Sequence, residues 1–217
     1  MIIPPKSKLV MIGDSVTDCG RERPIGEIWG PTPLGNGYVN MVDALLKARY
    51  PALHIRIVNM GINANTVIDL KERWQTDVID LKPDWLSIAI GINDVWWKFA
   101  LPHITEKPVP LDKYMETLDE LVTTTKPMLN GVILVSPFYI EPDRTEPVRA
   151  MMDEYGAAVR QVAEKHQAVF VDAQAAFDEV LPQTHSSAYA LDRVHPTQGG
   201  HMILARAFVR ALGYSWE

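Results

Sequence analysis

The chain has 217 residues, of which 47% are hydrophobic and 22% charged, and its formal net charge is −6. That length and balance fit one globular domain over residues 1–217 with room for a sizeable core. The negative charge argues against nucleic acid or an anionic membrane as partner, and no apolar run is long enough to span a bilayer. One cysteine, Cys19, excludes an intramolecular disulfide, and the Met1 to Lys6 segment lacks the pattern of a secretion signal, so a cytoplasmic protein is expected.

In chain order, Leu9 to Ile12 reads as a buried strand that stops at Gly13-Asp14-Ser15. A Gly- and Pro-rich loop follows from Gly20 to Gly37 and contains Trp29. Apolar residues at helical spacing predict a helix over Tyr38 to Tyr50, ended by Pro51. Ile55 to Asn59 alternates as a second strand, with Asn59-Met60-Gly61 as its turn. Asn65-Thr66 is placed to cap a helix running through Asp80. Trp85 to Ile90 is a nearly continuous apolar run, as expected of a strand covered on both faces, and it ends in Gly91-Ile92-Asn93-Asp94. Val95 to Leu111 reads as a loop or broken helix carrying Trp96, Trp97 and Phe99. Asp112 to Lys126 reads as a helix, Gly131 to Val135 as a strand, and Ser136 to Glu146 as a loop with Tyr139. A long helix from Pro147 to His166 precedes a fifth strand, Ala168 to Val171, and a short helix from Ala173 to Leu181. Thr197 to Leu212 closes the chain as a helix.

Strands alternating with helices predict an α/β fold: a five-stranded parallel sheet between two helical layers. In such a sheet the carboxyl ends of the strands share one edge, where ligands and chemistry gather. Ser15 sits at one of these ends. Alone, Asp14-Ser15 reads equally well as a turn cap, and Asp192-Arg193-Val194-His195-Pro196 as the entry to a helix. Together they supply a serine, a histidine to take its proton and a carboxylate to orient that histidine. Gly61 and Asn93 end two further strands on the same edge. With the Ser15 N–H, a Gly61 N–H and the Asn93 side-chain amide would make three donors for a tetrahedral oxyanion. Each has a plainer reading, Gly61 as a turn glycine and Asn93-Asp94 as a helix cap.

Cys19 is expected to pack as a small apolar residue rather than to react. His54, His103, His166, His185 and His201 show no metal-site spacing, and Asp192 with His195 supplies too few ligands for a catalytic zinc, so no cofactor is expected. His166 ends a helix, where a contact with the helix dipole suffices.

Four short motifs in this order, Gly13-Asp14-Ser15-Val16, Asn59-Met60-Gly61, Gly91-Ile92-Asn93-Asp94 and Asp192-Arg193-Val194-His195-Pro196, resemble those of the SGNH (GDSL-like) hydrolases across nearly the whole chain. The serine motif has Val16 where the family name has Leu. The resemblance implies a flavodoxin-like three-layer fold and ester hydrolysis without metal. It makes Ser15 the nucleophile, His195 the base and then acid, Asp192 its orienting partner, and Ser15, Gly61 and Asn93 the oxyanion hole. A Gly-x-Ser-x-Gly elbow, the mark of α/β-hydrolases, is missing. Within the family, the wording around Ser15, Asn93, Pro137 to Glu141 and His195 is most similar to intracellular acetyl-xylan and xylo-oligosaccharide esterases.

The expected substrate is therefore a small acetylated carbohydrate. Trp29, Trp96, Trp97 and Tyr139, in loops over the site, are candidate faces for sugar rings, although loop aromatics also pack locally or at subunit contacts. Tyr214 and Trp216 hint at a contact between copies, hence a homo-oligomer. A thioesterase or lysophospholipase would need an extended apolar groove, whereas these loops mix Trp with Arg, Glu, Asp and Asn. An inactive carbohydrate-binding relative would have no use for an intact Ser15, Asp192 and His195.

Overall fold

The computed structural model describes residues 1–27 and 30–216. Its centre is a sheet of five parallel strands in the order β2-β1-β3-β4-β5, formed by β1 (Lys8–Gly13), β2 (Arg56–Gly61), β3 (Trp85–Ala89), β4 (Gly131–Val135) and β5 (Val169–Val171). The side-chain period of two splits each strand between two cores. Val10 and Ile12 of β1 join Val58 and Met60, Leu86 and Ile88, and Val132 and Leu134 on one face. Leu9 and Met11 join Ile57, Ile133 and Val135 on the other. Both faces are dry, which is why β1 reads as an uninterrupted apolar run.

Helices cover both faces. On the first lie α3 (Val67–Glu72), α4 (Ile92–Ala100), α5 (Leu111–Thr125) and α6 (Pro147–His166), which contribute Leu70, Val95, Leu118, Met152 and Val159. On the second lie α2 (Tyr38–Arg49), α7 (Ala173–Asp178) and α8 (Gln198–Ala211), through Val39, Val42, Phe177, Leu204 and Phe208. Each such side chain, taken fully out of water, contributes about 1.5–3 kcal/mol. The ends are set by local chemistry. Pro147 opens α6 beneath a Glu146 carboxylate that accepts the Arg149 N–H at 2.8 Å, and Gln167 closes it in the left-handed region at φ 51°. Thr197 caps α8 on the Gly200 N–H, as its place in the sequence predicts.

Three sequence expectations change. Asn59-Met60-Gly61 is not a turn but the end of β2, and the reversal lies at 62–65. The helix expected from an Asn65-Thr66 cap through Asp80 stops as an α-helix at Glu72 and continues, after Arg73 and Trp74, as a π-helical turn over Gln75–Ile79. Trp96 and Trp97 lie on a helix, α4, rather than in a loop. That helix opens at Gly91 (φ 132°) with no side-chain cap among the described residues, two residues before the Asn93-Asp94 pair that the sequence offers as a cap.

In register, Gly13 lies opposite Gly61 on one side and Ala89 on the other. The ends of β2, β1 and β3 are therefore level. The chain runs outward from β1 to β2 and then crosses to β3 on β1's other side, so β1 and β3 flank the switch point of the sheet. Ser15 follows β1 and Asn93 follows β3.

Candidate active site

β1 must turn sharply to present Ser15, and Gly13 permits it. A Cβ at Gly13 would lie 2.3 Å from the Ala89 carbonyl oxygen and 2.4 Å from Thr17 Oγ1. Asp14 then caps the four-residue helix α1 (Ser15–Asp18), its Oδ1 accepting the Val16 N–H at 3.0 Å. The Ser15 N–H, in the first turn, has no hydrogen-bond partner among the described residues.

Ser15 Oγ lies 3.0 Å from His195 Nε2, although the two are 180 positions apart in sequence. His195 Nδ1 is 2.6 Å from Asp192 Oδ2. The other Asp192 oxygen accepts the His195 N–H at 2.8 Å and the Val194 N–H at 3.0 Å. Burial pulls the Asp192 carboxyl upward, but these three hydrogen bonds outweigh it and hold the group below the ordinary carboxylate range. An ionised Asp192 fixes the proton on Nδ1 and leaves the Nε2 lone pair facing Oγ. The loop itself is clasped from the β4 side. Arg193 sits in the left-handed region (φ 64°), its carbonyl accepts the Ile140 N–H at 2.9 Å, and its guanidinium pairs with Glu141 at 3.0 Å.

The second half of the site surrounds Asn93. Its Nδ2 donates to the Asn65 carbonyl at 3.0 Å, which uses one of its two hydrogens. The neighbouring carboxylate of Asp94 accepts the Val67 N–H at 3.0 Å. Two consecutive side chains thus stitch α4 to the segment entering α3. Both carboxyls near the switch point are fully buried: burial pushes Asp94 up to about 8 and Asp14 up to about 7.

Gly61 spends its N–H within the fold. Its N–H donates to Asn59 Oδ1 at 2.9 Å, and it is glycine because a Cβ would lie 2.2 Å from the Asp18 nitrogen. Asn59 is wholly buried, and its Nδ2 donates to the Thr17 carbonyl at 2.7 Å and the Leu34 carbonyl at 2.8 Å. An accounting of the following N–H groups shows where a free donor lies. Ile62 donates to the Gly13 carbonyl, Asn63 to Asp18 Oδ2, Asn65 to the Ile62 carbonyl, Thr66 to Asp69 Oδ2 and Val67 to Asp94 Oδ1. Ala64 alone in this run has no partner among the described residues, and its φ of 65° is one that alanine rarely adopts.

The aromatic candidates separate. Tyr139 is only 5% exposed and packs against Trp96 with ring centroids 6.2 Å apart, so it supports that indole instead of presenting a face. Trp96 and Trp97 are half-buried on α4, and the Trp97 indole nitrogen is buried without a partner among the described residues. Trp29 lies outside the described residues. His201 is structural: its Nδ1 accepts the Tyr38 N–H at 3.2 Å, and Nε2 faces Cys19 Sγ at 3.4 Å. Burial lowers His201 to about 4 and raises Cys19, leaving both uncharged near neutrality. His166 pairs with Asp119 at 2.7 Å. Among the described residues no group of three or more His, Cys, Asp or Glu side chains is placed to hold a metal, and no helix is long and apolar enough to cross a membrane.

A serine at a strand end, its histidine and carboxylate arriving from a late loop, and an asparagine at the switch point define a serine ester hydrolase, and residues 11–203 match the GDSL-like lipase/acylhydrolase family model. The chain belongs to that family. It is 56% identical over 210 residues to an acetylxylan esterase of Geobacillus stearothermophilus, covering 96% of this chain and 95% of that protein. The crystal structure of that organism's acetylxylan esterase Axe2 superimposes with a TM-score of 0.97 at 56% identity, covering 100% of this chain and 98% of Axe2. Axe2 has also been solved as catalytic mutants in which a serine, an aspartate or a histidine is replaced by alanine. LAE5, described as an alpha/beta hydrolase enzyme from the metagenome of Lake Arreo, matches with a TM-score of 0.96 at 48% identity over 98% of each chain.

Proposed function

We propose that the protein removes acetyl groups from acetylated xylo-oligosaccharides or closely related acetylated sugars, through an acetyl-Ser15 intermediate. The observation that carries the reading is the continuous relay from Ser15 Oγ through His195 to Asp192, at 3.0 and 2.6 Å. Ser15 Oγ attacks the acetyl carbonyl while its proton passes to His195 Nε2. The imidazolium, stabilised by Asp192, returns that proton to the departing sugar oxygen as the ester C–O bond breaks. Water then attacks the acetyl-enzyme with His195 again as base, and acetate leaves. The oxyanion of each tetrahedral intermediate is received by the Ser15 N–H, the second hydrogen of Asn93 Nδ2 and the Ala64 N–H, in place of Gly61.

The acetyl group and the xylose-type alcohol are supported by 56% identity to an acetylxylan esterase over 96% of the chain. A cytoplasmic location would suit short, already imported oligosaccharides. The test is a series of acyl esters of one chromogenic alcohol, followed by acetate release from per-acetylated xylose. kcat/KM should fall steeply from acetyl to butyryl and be negligible at octanoyl. A lipid-type pocket would instead add up to about 0.8 kcal/mol per buried methylene and give the reverse trend. A rate that rises with chain length, or acetylated xylose that yields no acetate, would replace this reading with a thioesterase or lysophospholipase.

A further inference from the structure

Arg73 ends α3 and is mostly buried, with its side chain 13% exposed. It lies on none of the four motifs that define the site, yet its guanidinium reaches three separate parts of it. Nε donates to Asn65 Oδ1 at 2.7 Å. Nη1 donates to the Met60 carbonyl at 2.8 Å and to Asp77 Oδ2 at 2.7 Å. Nη2 donates to the Gly13 carbonyl at 3.0 Å.

These acceptors are the ones on which the donor geometry depends. The Gly13 carbonyl lies two residues before Ser15 and also accepts the Ile62 N–H at 3.0 Å, so it ties the end of β1 to the 62–65 turn. The Met60 carbonyl precedes Gly61 at the end of β2. Asn65 closes the turn that holds Ala64, and its own carbonyl receives Asn93 Nδ2. One rigid planar fork therefore fixes the strand end before the nucleophile, the turn with the free N–H and the residue that orients Asn93. Asp77 neutralises the guanidinium locally, so its contribution is geometric and not a long-range field. Lysine, with three donors on a single rotating atom, cannot satisfy carbonyls on two strands and an amide at once.

We propose that Arg73 is a positioning residue for the oxyanion donors, setting Ser15, Ala64 and Asn93 in register while touching neither substrate nor reacting atoms. The proposal rests on the oxyanion assignment made above. It is tested with Arg73→Lys and Arg73→Gln in the full chain, assayed on a chromogenic acetate ester and normalised to the serines that a fluorophosphonate titrates. That normalisation removes misfolded molecules from the rate, so a merely structural role would leave kcat per titrated site unchanged. Displacement of a catalytic group by about an ångström lowers rates on the order of a hundredfold, and a loss of that order in kcat with KM little changed is expected for Arg73→Gln. Combined with Asn93→Ala, the losses should be clearly less than multiplicative, because the arginine acts partly through that amide. Asn65→Ala removes one arm of the fork in a chain that keeps Arg73, and should show the same split with a smaller loss. Unchanged kcat per titrated site, an effect confined to KM, or fully multiplicative losses would overturn the proposal. If Asn93→Ala alone left kcat intact, the oxyanion assignment would fail first and the proposal with it.

Discussion

The two halves of the site are built to different standards. The proton relay is open: the side chains of His195 and Asp192 are 57% and 46% exposed, and a short loop presents both. The half proposed to receive the oxyanion is closed. Asn93 is 7% exposed, Asn59 not at all, and nearly every N–H of the 61–67 segment is spent on a named partner. Groups that must exchange protons with an alcohol and with water need access. Donors that stabilise developing charge must already point the right way, because reorienting them during the reaction would cancel their benefit. The difference teaches that exposure and rigidity are assigned by chemical task, even among residues a few ångströms apart.

Mutation can sharpen that contrast. The largest effect is expected at the open half. Ser15→Ala should lose on the order of a millionfold in kcat, leaving only binding and oxyanion assistance. A serine-directed phosphonate should mark Ser15 alone by mass spectrometry, and an active Ser15→Ala enzyme labelled elsewhere would break the assignment. In the closed half, Asn93→Ala should cost roughly 3 kcal/mol, about a hundredfold in kcat, with KM nearly unchanged. A change in KM alone would make Asn93 a ground-state contact.

Two further tests read stability instead of rate. Asp14 and Asp94, held by burial at about 7 and about 8, keep protons in the folded state that the unfolded chain releases near pH 4. Their contribution is full in acid and is lost as pH rises through 7 and 8. His201, lowered to about 4, acts with the opposite sign, but only between about pH 4 and 6.5. Urea unfolding should therefore show stability falling from pH 6.5 to 8, and Asp94→Asn should flatten part of that fall. A slope identical in the variant would mean that Asp94 is already ionised in the fold. The smallest effect belongs to Ala64, whose φ of 65° carries a steric penalty that glycine avoids. Ala64→Gly should raise the unfolding midpoint by the equivalent of about 1 kcal/mol.

The relay and the sheet were legible in the sequence because each leaves a residue-type signature. Ser15 ends an apolar run, Asp192 and His195 stand three apart before a capped helix, and buried strands alternate with periodic helices. The half around Asn93 and the 61–65 segment is less legible, for physical reasons. Asn59-Met60-Gly61 looks like a turn, but an asparagine side chain folded back on the Gly61 N–H lets β2 run through it. The free N–H belongs to an alanine in a conformation that its side chain disfavours, and no pattern of residue types signals that. Trp96 and Trp97 fall in a stretch that reads as a loop or a broken helix, because α4 begins at Gly91 ahead of any capping side chain. Arg73, on an ordinary amphipathic stretch, earns its interest only from what its guanidinium reaches in space.

The level alignment of Gly13 with Gly61 and Ala89 also bears on how the molecule acquires activity as it folds. None of those strand pairs is a hairpin, and every neighbour is reached by a crossover. No local segment can form a part-site early, since nucleophile, turn and amide come level only when three strands have docked in register. Long-range pairing of this kind is slow, because chain entropy is lost before contacts repay it. Esterase activity regained on refolding is therefore a clock for completion of the sheet, not for its first collapse.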